Sequence, residues 1–213
     1  MELIPKALVV GLFAATQPGP PDRDRVNRVW AELSGRQEYR QLNFTGDGAQ
    51  LLGTTADDAL LIQPPLIQVR STARMGLQNA ADEAEVALKT VARHLGLAQF
   101  FNLGIKHVYH GPAPDRDART FVLRRLLAKE DDELGALERG DRFWAGLKYG
   151  AAAPDGSTYI LVIEPLLSDN EFLFLDLDAQ FPGPADLDRV RDRAREAAEY
   201  ADGAVRQYLE RAD

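Results

Sequence analysis

Two carboxylates near the end of the sequence have a spacing that suits a metal site. Asp176 and Asp178 lie two residues apart in the segment 174–178 (FLDLD), so on a β-strand both would project from one face. Glu164, on the preceding predicted strand, would add a third oxygen donor. Carboxylate clusters of this kind bind Mg²⁺ or Mn²⁺, so one hypothesis is a divalent-metal enzyme that acts on a phosphate-containing substrate.

The same carboxylates also fit a structural role. On a sheet, both side chains would lie within reach of the cations Arg142 and Lys148 on a neighbouring strand. Asp-x-Asp is a short pattern, and no glycine-rich phosphate loop accompanies it, because Gly46 and Gly48 indicate a hairpin turn. We therefore expect cross-strand ion pairs and keep the metal site as the alternative.

The sequence contains no pattern for nucleophilic or zinc catalysis. It has no Cys, which excludes disulfides, thiolate metal sites and cysteine nucleophiles, and no Ser lies in a Gly-x-Ser-x-Gly elbow. His107 and His110 are three residues apart on one predicted strand, so they would face opposite sides and could not share a metal. We expect a hydrogen-bonded His107 in the core and a solvent-exposed His110, with a general-base role for His110 as the alternative. We predict no catalytic residue.

Strand alternation in the second half collects a mixed aromatic and charged set on one face. The apolar residues of each predicted strand point to the core, and the opposite face is predicted to bind a partner through Lys106, His110, Arg142, Trp144, Lys148, Phe172 and Phe174. The matching face of the first half is mostly uncharged and polar, with Tyr39, Gln41, Asn43, Gln68 and Arg70. Exposed apolar groups among charges are typical of an interface, so we expect a homodimer or another protein partner, with a small ligand as an alternative occupant.

Hydrophobic periodicity predicts the elements that carry these residues. Strands are expected at 7–15, 39–44, 49–54, 59–63, 66–71, 100–110, 142–150, 158–166 and 171–178. Helices are expected to begin at Asp22, near Ala80, at Asp115 and near Ala185, and Gly96 should end the second of them as a left-handed residue. The acidic run 130–138 is predicted to be a solvated connector.

The two halves of the chain repeat one order of elements, strand, helix, meander and helix. Gly11 precedes Pro21-Asp22-Arg23-Asp24 by the same distance as Gly104 precedes Pro114-Asp115-Arg116-Asp117. We therefore predict two tandem repeats, 1–97 and 98–213, that share one core as a single domain. Meanders pair neighbouring strands antiparallel, so the predicted fold is α+β: a curved antiparallel sheet with helices packed on one face and pseudo-twofold symmetry.

Two resemblances accompany this order of elements. The duplicated arrangement is similar to the saddle of TATA-binding-protein-like folds, a resemblance of architecture only. Residues 102–109 (NLGIKHVY) and 174–178 (FLDLD), followed by a terminal helix, resemble a sporadically distributed prokaryotic family of uncharacterised proteins. That family has no assigned chemistry, and here Asn102 precedes Gly104, which departs from its pattern, so no residue role is carried over.

Composition limits the setting and the partners. A chain of 213 residues, 45% of them hydrophobic, can bury a proper core. Its formal charge of −8 opposes broad contact with a phosphate backbone, and the sheet face lacks the basic enrichment of a DNA saddle, so nucleic acid is not the expected partner. The apolar run 7–15 is too short to span a bilayer and lacks a basic leader, so we expect a soluble cytoplasmic protein without a membrane partner.

Overall fold

The centre of the molecule is a single curved sheet. A computed structural model describes residues 1–15, 20–35, 39–55, 57–129 and 145–212. The strands in these ranges are β1 (Ile4–Ala14), β2 (Gln41–Phe44), β3 (Ala49–Leu52), β4 (Ala59–Gln63), β5 (Leu66–Thr72), β6 (Phe100–Pro112), β7 (Leu147–Ala152), β8 (Thr158–Pro165) and β9 (Phe172–Pro182). They lie in the order β2-β3-β4-β5-β1-β6-β9-β8-β7, and every neighbouring pair is antiparallel, as the meander pattern predicts.

The helices follow the predicted order, with one interruption. They are α1 (Arg23–Ser34), α2 (Leu77–Leu95), α3 (Ala118–Thr120), α4 (Val190–Tyr200) and α5 (Arg206–Ala212). Gly96 ends α2 with a φ of 70°, as predicted, because glycine adopts the left-handed region without a Cβ clash. The predicted continuous terminal helix is instead divided, because a π-helical segment, Ala201–Val205, separates α4 from α5. A second π-helical segment, Phe121–Leu126, extends α3.

Side-chain burial alternates along the long strands, which gives the sheet two different faces. In β9, Leu173, Leu175 and Leu177 are at most 1% exposed, whereas the residues between them are half-buried. The buried side faces the helices: α2 lies against β1 and β5, α4 lies against β6, and α1 packs on α2. We call this side the helix face and the opposite side, on which no helix of the described ranges packs, the open face. The predicted α+β fold is confirmed.

The order of the described strands is nearly symmetric about its central pair, with four strands outside β1 and three outside β6. β1 and β6 are neighbours, β5 and β9 flank them, and the meanders continue outward on both sides. Gly11 lies directly opposite Gly104 in the register of the central pair. One cluster of buried side chains, from Leu3 to Leu209, includes residues of both halves. The internal duplication itself stays a prediction.

The two Pro-Asp-Arg-Asp segments fold differently. In the first, the helix starts where it is predicted to, and the Asp22 side chain caps α1 by accepting a hydrogen bond from the Arg25 backbone N–H at 3.0 Å. In the second, Asp115 and Arg116 have φ values of 53° and 57°, which form a left-handed turn. Asp117 caps the next helix instead, so α3 begins at Ala118 and its predicted start at Asp115 is wrong.

Part of the second half lies outside the described residues. This part includes the acidic run 130–138 and two predicted partner-binding residues, Arg142 and Trp144. The predicted strand 142–150 therefore starts outside the described ranges, and its described part pairs with β8 from Leu147 to Ala152.

Candidate functional site

The open face of β6, β9, β8 and β7 brings most of the predicted site residues together. Alternation and register place eight of them there, namely Lys106, His110, Lys148, Glu164, Phe172, Phe174, Asp176 and Asp178. Lys106 lies opposite Asp178, His110 opposite Phe174, and Lys148 opposite Val162. Within each strand these residues are two or four positions apart, so the regular pleat is enough to align them on one side.

The charged centre of this face is an ion pair between β6 and β9. Lys106 Nζ lies 2.8 Å from Asp176 Oδ2, diagonally across the strands, since the residue opposite Asp176 is Val108. The Lys106 side chain is 40% exposed and that of Asp176 22% exposed. Asp176 Oδ1 is buried and has no hydrogen-bond partner among the described residues. The pair thus leaves one carboxylate oxygen able to accept a further hydrogen bond.

A row of polar side chains continues along the same two strands. The Gln180 side-chain amide donates to Asp178 Oδ1, and Gln180 Oε1 accepts a hydrogen bond from Asn102 Nδ2 at 2.8 Å. Gln180 lies across Gly104, where an added Cβ would stand 2.9 Å from Gln180 Nε2. A glycine at position 104 therefore provides the room for this amide network.

An aromatic end borders the charged centre. The rings of His110 and Phe174 are 6.2 Å apart, and Phe172 lies opposite Pro112 in the register. Partial burial lowers the pKa of His110, and the positive charge of Lys6 lowers it further. The neutral imidazole is therefore favoured at this end, where it can both donate and accept a hydrogen bond.

The predicted metal ligands do not form a compact triad around this ion pair. Asp176 binds Lys106, which is the structural role that the sequence allowed, although the cation is not one of the two expected. Glu164 lies opposite Phe174 rather than opposite either aspartate. Across the described parts of the chain, no group of three or more His, Asp or Glu side chains has the geometry to hold a metal. The divalent-metal site stays a prediction.

Sequence reasoning assigned two aromatic side chains to the wrong surroundings. Strict alternation along β6 places Phe101 on the same side as Leu103 and Ile105, in the core, but it is 51% exposed and its ring lies 6.1 Å from that of Phe13. A register shift between Phe13 and Ala14 disturbs the alternation there, and no local sequence signal marks it. Tyr39 was expected on the open face, yet it precedes β2 and is only 8% exposed within the core cluster.

A buried polar pair, His107 and Tyr109, lies on the helix face. His107 is fully buried, and its Nδ1 lies 2.9 Å from the hydroxyl of Tyr109, so the predicted hydrogen-bonded core histidine is confirmed. Its Nε2 has no partner in the described structure. Burial lowers the pKa of His107 to about 4, and burial followed by the negative charge of Asp202 raises that of Tyr109.

The described part of the open face combines accessible side chains with charged, polar and aromatic chemistry. Among the described helices, none combines the length and apolar character that crossing a membrane requires. No protein-family model matches the chain, and no curated protein is significantly similar to it.

Proposed function

We propose that this protein is a binding protein whose open face holds a partner chain, and that the first such partner is a second copy of itself. One observation carries the proposal. The described helices bury only one face of the sheet, and the other presents large apolar side chains, Phe172, Phe174 and, beside Phe13, Phe101. Apolar groups that stay accessible on a sheet of this size are typical of an interface, because burying them against a partner is favourable.

The polar groups of the open face favour recognition over catalysis. Lys106 and Asp176 are bound to each other, and Asp178, Gln180 and Asn102 form a connected row. Side chains fixed by such mutual contacts present a defined pattern of donors and acceptors to a partner. Because these side chains are already ordered, they lose little conformational freedom when the partner binds, and the entropic cost of association is lower.

Charge distribution supports a second copy as the partner. The first half places the cation Arg70 on the open face, and the second half places the carboxylates Glu164 and Asp178 there. In a twofold contact the same patch of both copies meets, so the first half of one copy can lie on the second half of the other. Arg70 of each copy would then approach the carboxylates of its partner.

Light scattering coupled to size-exclusion chromatography, over a wide range of protein concentrations, tests this proposal. We expect a dimer that dissociates on dilution. Phe101→Glu should weaken it, whereas Val86→Glu, a similar change at a 38% exposed position on the outer side of α2, should not. A monomer at every concentration, or equal weakening by both variants, would contradict the homodimer. Thermal melts of both variants verify that they fold.

The alternative function, a divalent-metal enzyme for a phosphate-containing substrate, is favoured by the buried Asp176 Oδ1 that lacks a partner among the described residues. A cation there would have to displace Lys106 Nζ from the other carboxylate oxygen. Calorimetric titration with Mg²⁺ and Mn²⁺ tests it directly. Saturable heat that disappears in Asp176→Ala would support the alternative, and the absence of heat would remove it.

A further inference from the structure

The β7 end of the sheet borders an apolar groove. A cavity of about 410 Å³ lies elsewhere, beside β5, but it is lined by several charged groups. The groove at β7, of about 340 Å³, lies on the helix face between this strand and the helices that end the described chain. Its walls include Leu147, Tyr149, Tyr200, Ala204 and Tyr208. Tyr149 and Tyr208 are 52% and 43% exposed, so their rings are accessible from outside.

β7 is also an edge strand in the described structure. It pairs with β8 in unbroken register from Leu147 to Ala152, and no described strand lies on its other side. One row of its backbone N–H and C=O groups therefore faces away from the sheet. The spacing of such a row matches that of another extended backbone, so an open edge is a template for a further strand.

A glycine inside β7 supports close approach by another chain. Gly150 is exposed, and an added Cβ would meet nothing within 4 Å. The register of β7 on β8 shows no bulge or shift that would require glycine there. A glycine within a regular strand often marks a place where another backbone comes near.

The opposite edge strand of the described sheet, β2, is better protected. β2 has only four residues, and its Leu42 and Phe44 are half-buried. The guanidinium of Arg23 lies 4.9 Å from the centre of the Phe44 ring and covers it. Short length and cations are the usual protection of an edge strand. β7 has six residues and an accessible tyrosine, and its one cation, Lys148, is exposed on the open face, so this edge is less protected.

We propose that β7 and the adjoining groove bind an extended segment of a partner protein, which adds to the sheet as a further strand. Alternation defines the chemistry of this segment. Its residue opposite Tyr149 would point to the helix face and pack in the groove, so it is apolar. Its residue opposite Lys148, which is exposed on the open face, would be acidic. The partner segment is thus an extended peptide in which apolar and acidic residues alternate.

Fluorescence polarisation with a labelled synthetic peptide tests the proposal. The probe alternates leucine with glutamate, and two further peptides carry N-methyl groups on the odd or on the even backbone nitrogens. We expect saturable binding of the probe. Addition as a strand uses only one set of amides, so one methylated peptide should lose about tenfold or more in affinity while the other binds. Equal binding of both methylated peptides, or no binding of the probe, would overturn the proposal.

Variants of the protein locate the contact. Ala204→Trp should fill the groove and weaken the probe by about tenfold, while Ala98→Trp, a matched change at an exposed alanine between α2 and β6, should leave it unchanged. Lys148→Glu should weaken the leucine–glutamate probe about threefold and favour a leucine–lysine peptide instead. If the two tryptophan variants behave alike, the groove is not the site. Melting curves confirm that each variant is folded, and dimerisation through the open face is measured separately.

Discussion

The two faces of the central sheet are formed by the same strands but differ in burial and in side-chain chemistry. On β9, Leu175 is 1% exposed on the helix face, and the next residue, Asp176, joins an ion pair on the open face. Burial of apolar side chains on one side supplies the stability of the fold. The open side is therefore free to carry charged and aromatic groups, so residues there can change without loss of the core.

The largest contrast is expected from neighbouring truncations on β9. Leu175→Ala should lower the free energy of unfolding by about 3 kcal/mol, because it leaves a cavity in the core. Phe174→Ala, on the half-buried open face, should cost about 1 kcal/mol, although it removes more atoms. Urea unfolding followed by circular dichroism measures both. A greater loss for Phe174→Ala would show that the open face is a second core.

Acid should destabilise the protein through the helix face. The pKa of His107 is about 4 in the folded state against an ordinary 6.5, so the unfolded chain takes up the proton first as the pH falls. The free energy of unfolding should therefore decrease below pH 6.5 and through about pH 4, and the part lost by about pH 5 is roughly 2 kcal/mol.

His107→Gln should remove most of this pH dependence, since glutamine does not titrate. His110→Gln, the matched change on the open face, should remove less, because His110 is only partly buried. Urea unfolding at several pH values between about 8 and 5 gives the comparison. An unchanged pH dependence in His107→Gln would mean that another group controls acid stability.

The ion pair on the open face should contribute far less than the core. In a double-mutant cycle with Lys106→Met and Asp176→Asn, we expect a coupling of about 0.5 kcal/mol, because the partners are partly exposed and screened by solvent. Added salt should reduce it. A coupling of several kcal/mol, insensitive to salt, would place this pair in an environment as dry as the helix face.

The smallest contrast concerns the paired glycines at the centre of the open face. Gly11→Ala should be tolerated or slightly stabilising, because its Cβ would meet only Leu66 Cδ1, at 3.8 Å. Gly104→Ala should be less favourable by about 0.5 kcal/mol, since it displaces Gln180 from its amide network. Adding Gln180→Ala should abolish the difference, which thermal unfolding can resolve. If the difference persists, Gln180 is not its cause.

Local sequence pattern predicted the structure correctly where a single strand or a single helix end determined it. The alternation that placed Lys106 and Asp176 on the same side, the Asp22 cap and the left-handed Gly96 all follow from neighbours in sequence. The start of α3 was wrong because a left-handed turn at Asp115 is not distinguishable, by residue type alone, from the cap at Asp22. Phe101 was wrong because a register shift between strands has no local signature.

By itself, the sequence determined that alternating and amphipathic segments would build an antiparallel sheet with one apolar face, because the periods of strands and helices are written in local residue order. Only the tertiary structure decided which residues meet across strands: Lys106 with Asp176 rather than with Asp178, and Tyr149 beside a groove rather than within the core. Cross-strand register, and which strand residues the helices cover, depend on the packing of segments that are far apart in sequence. A local stretch of sequence contains only one of the two segments that pack together.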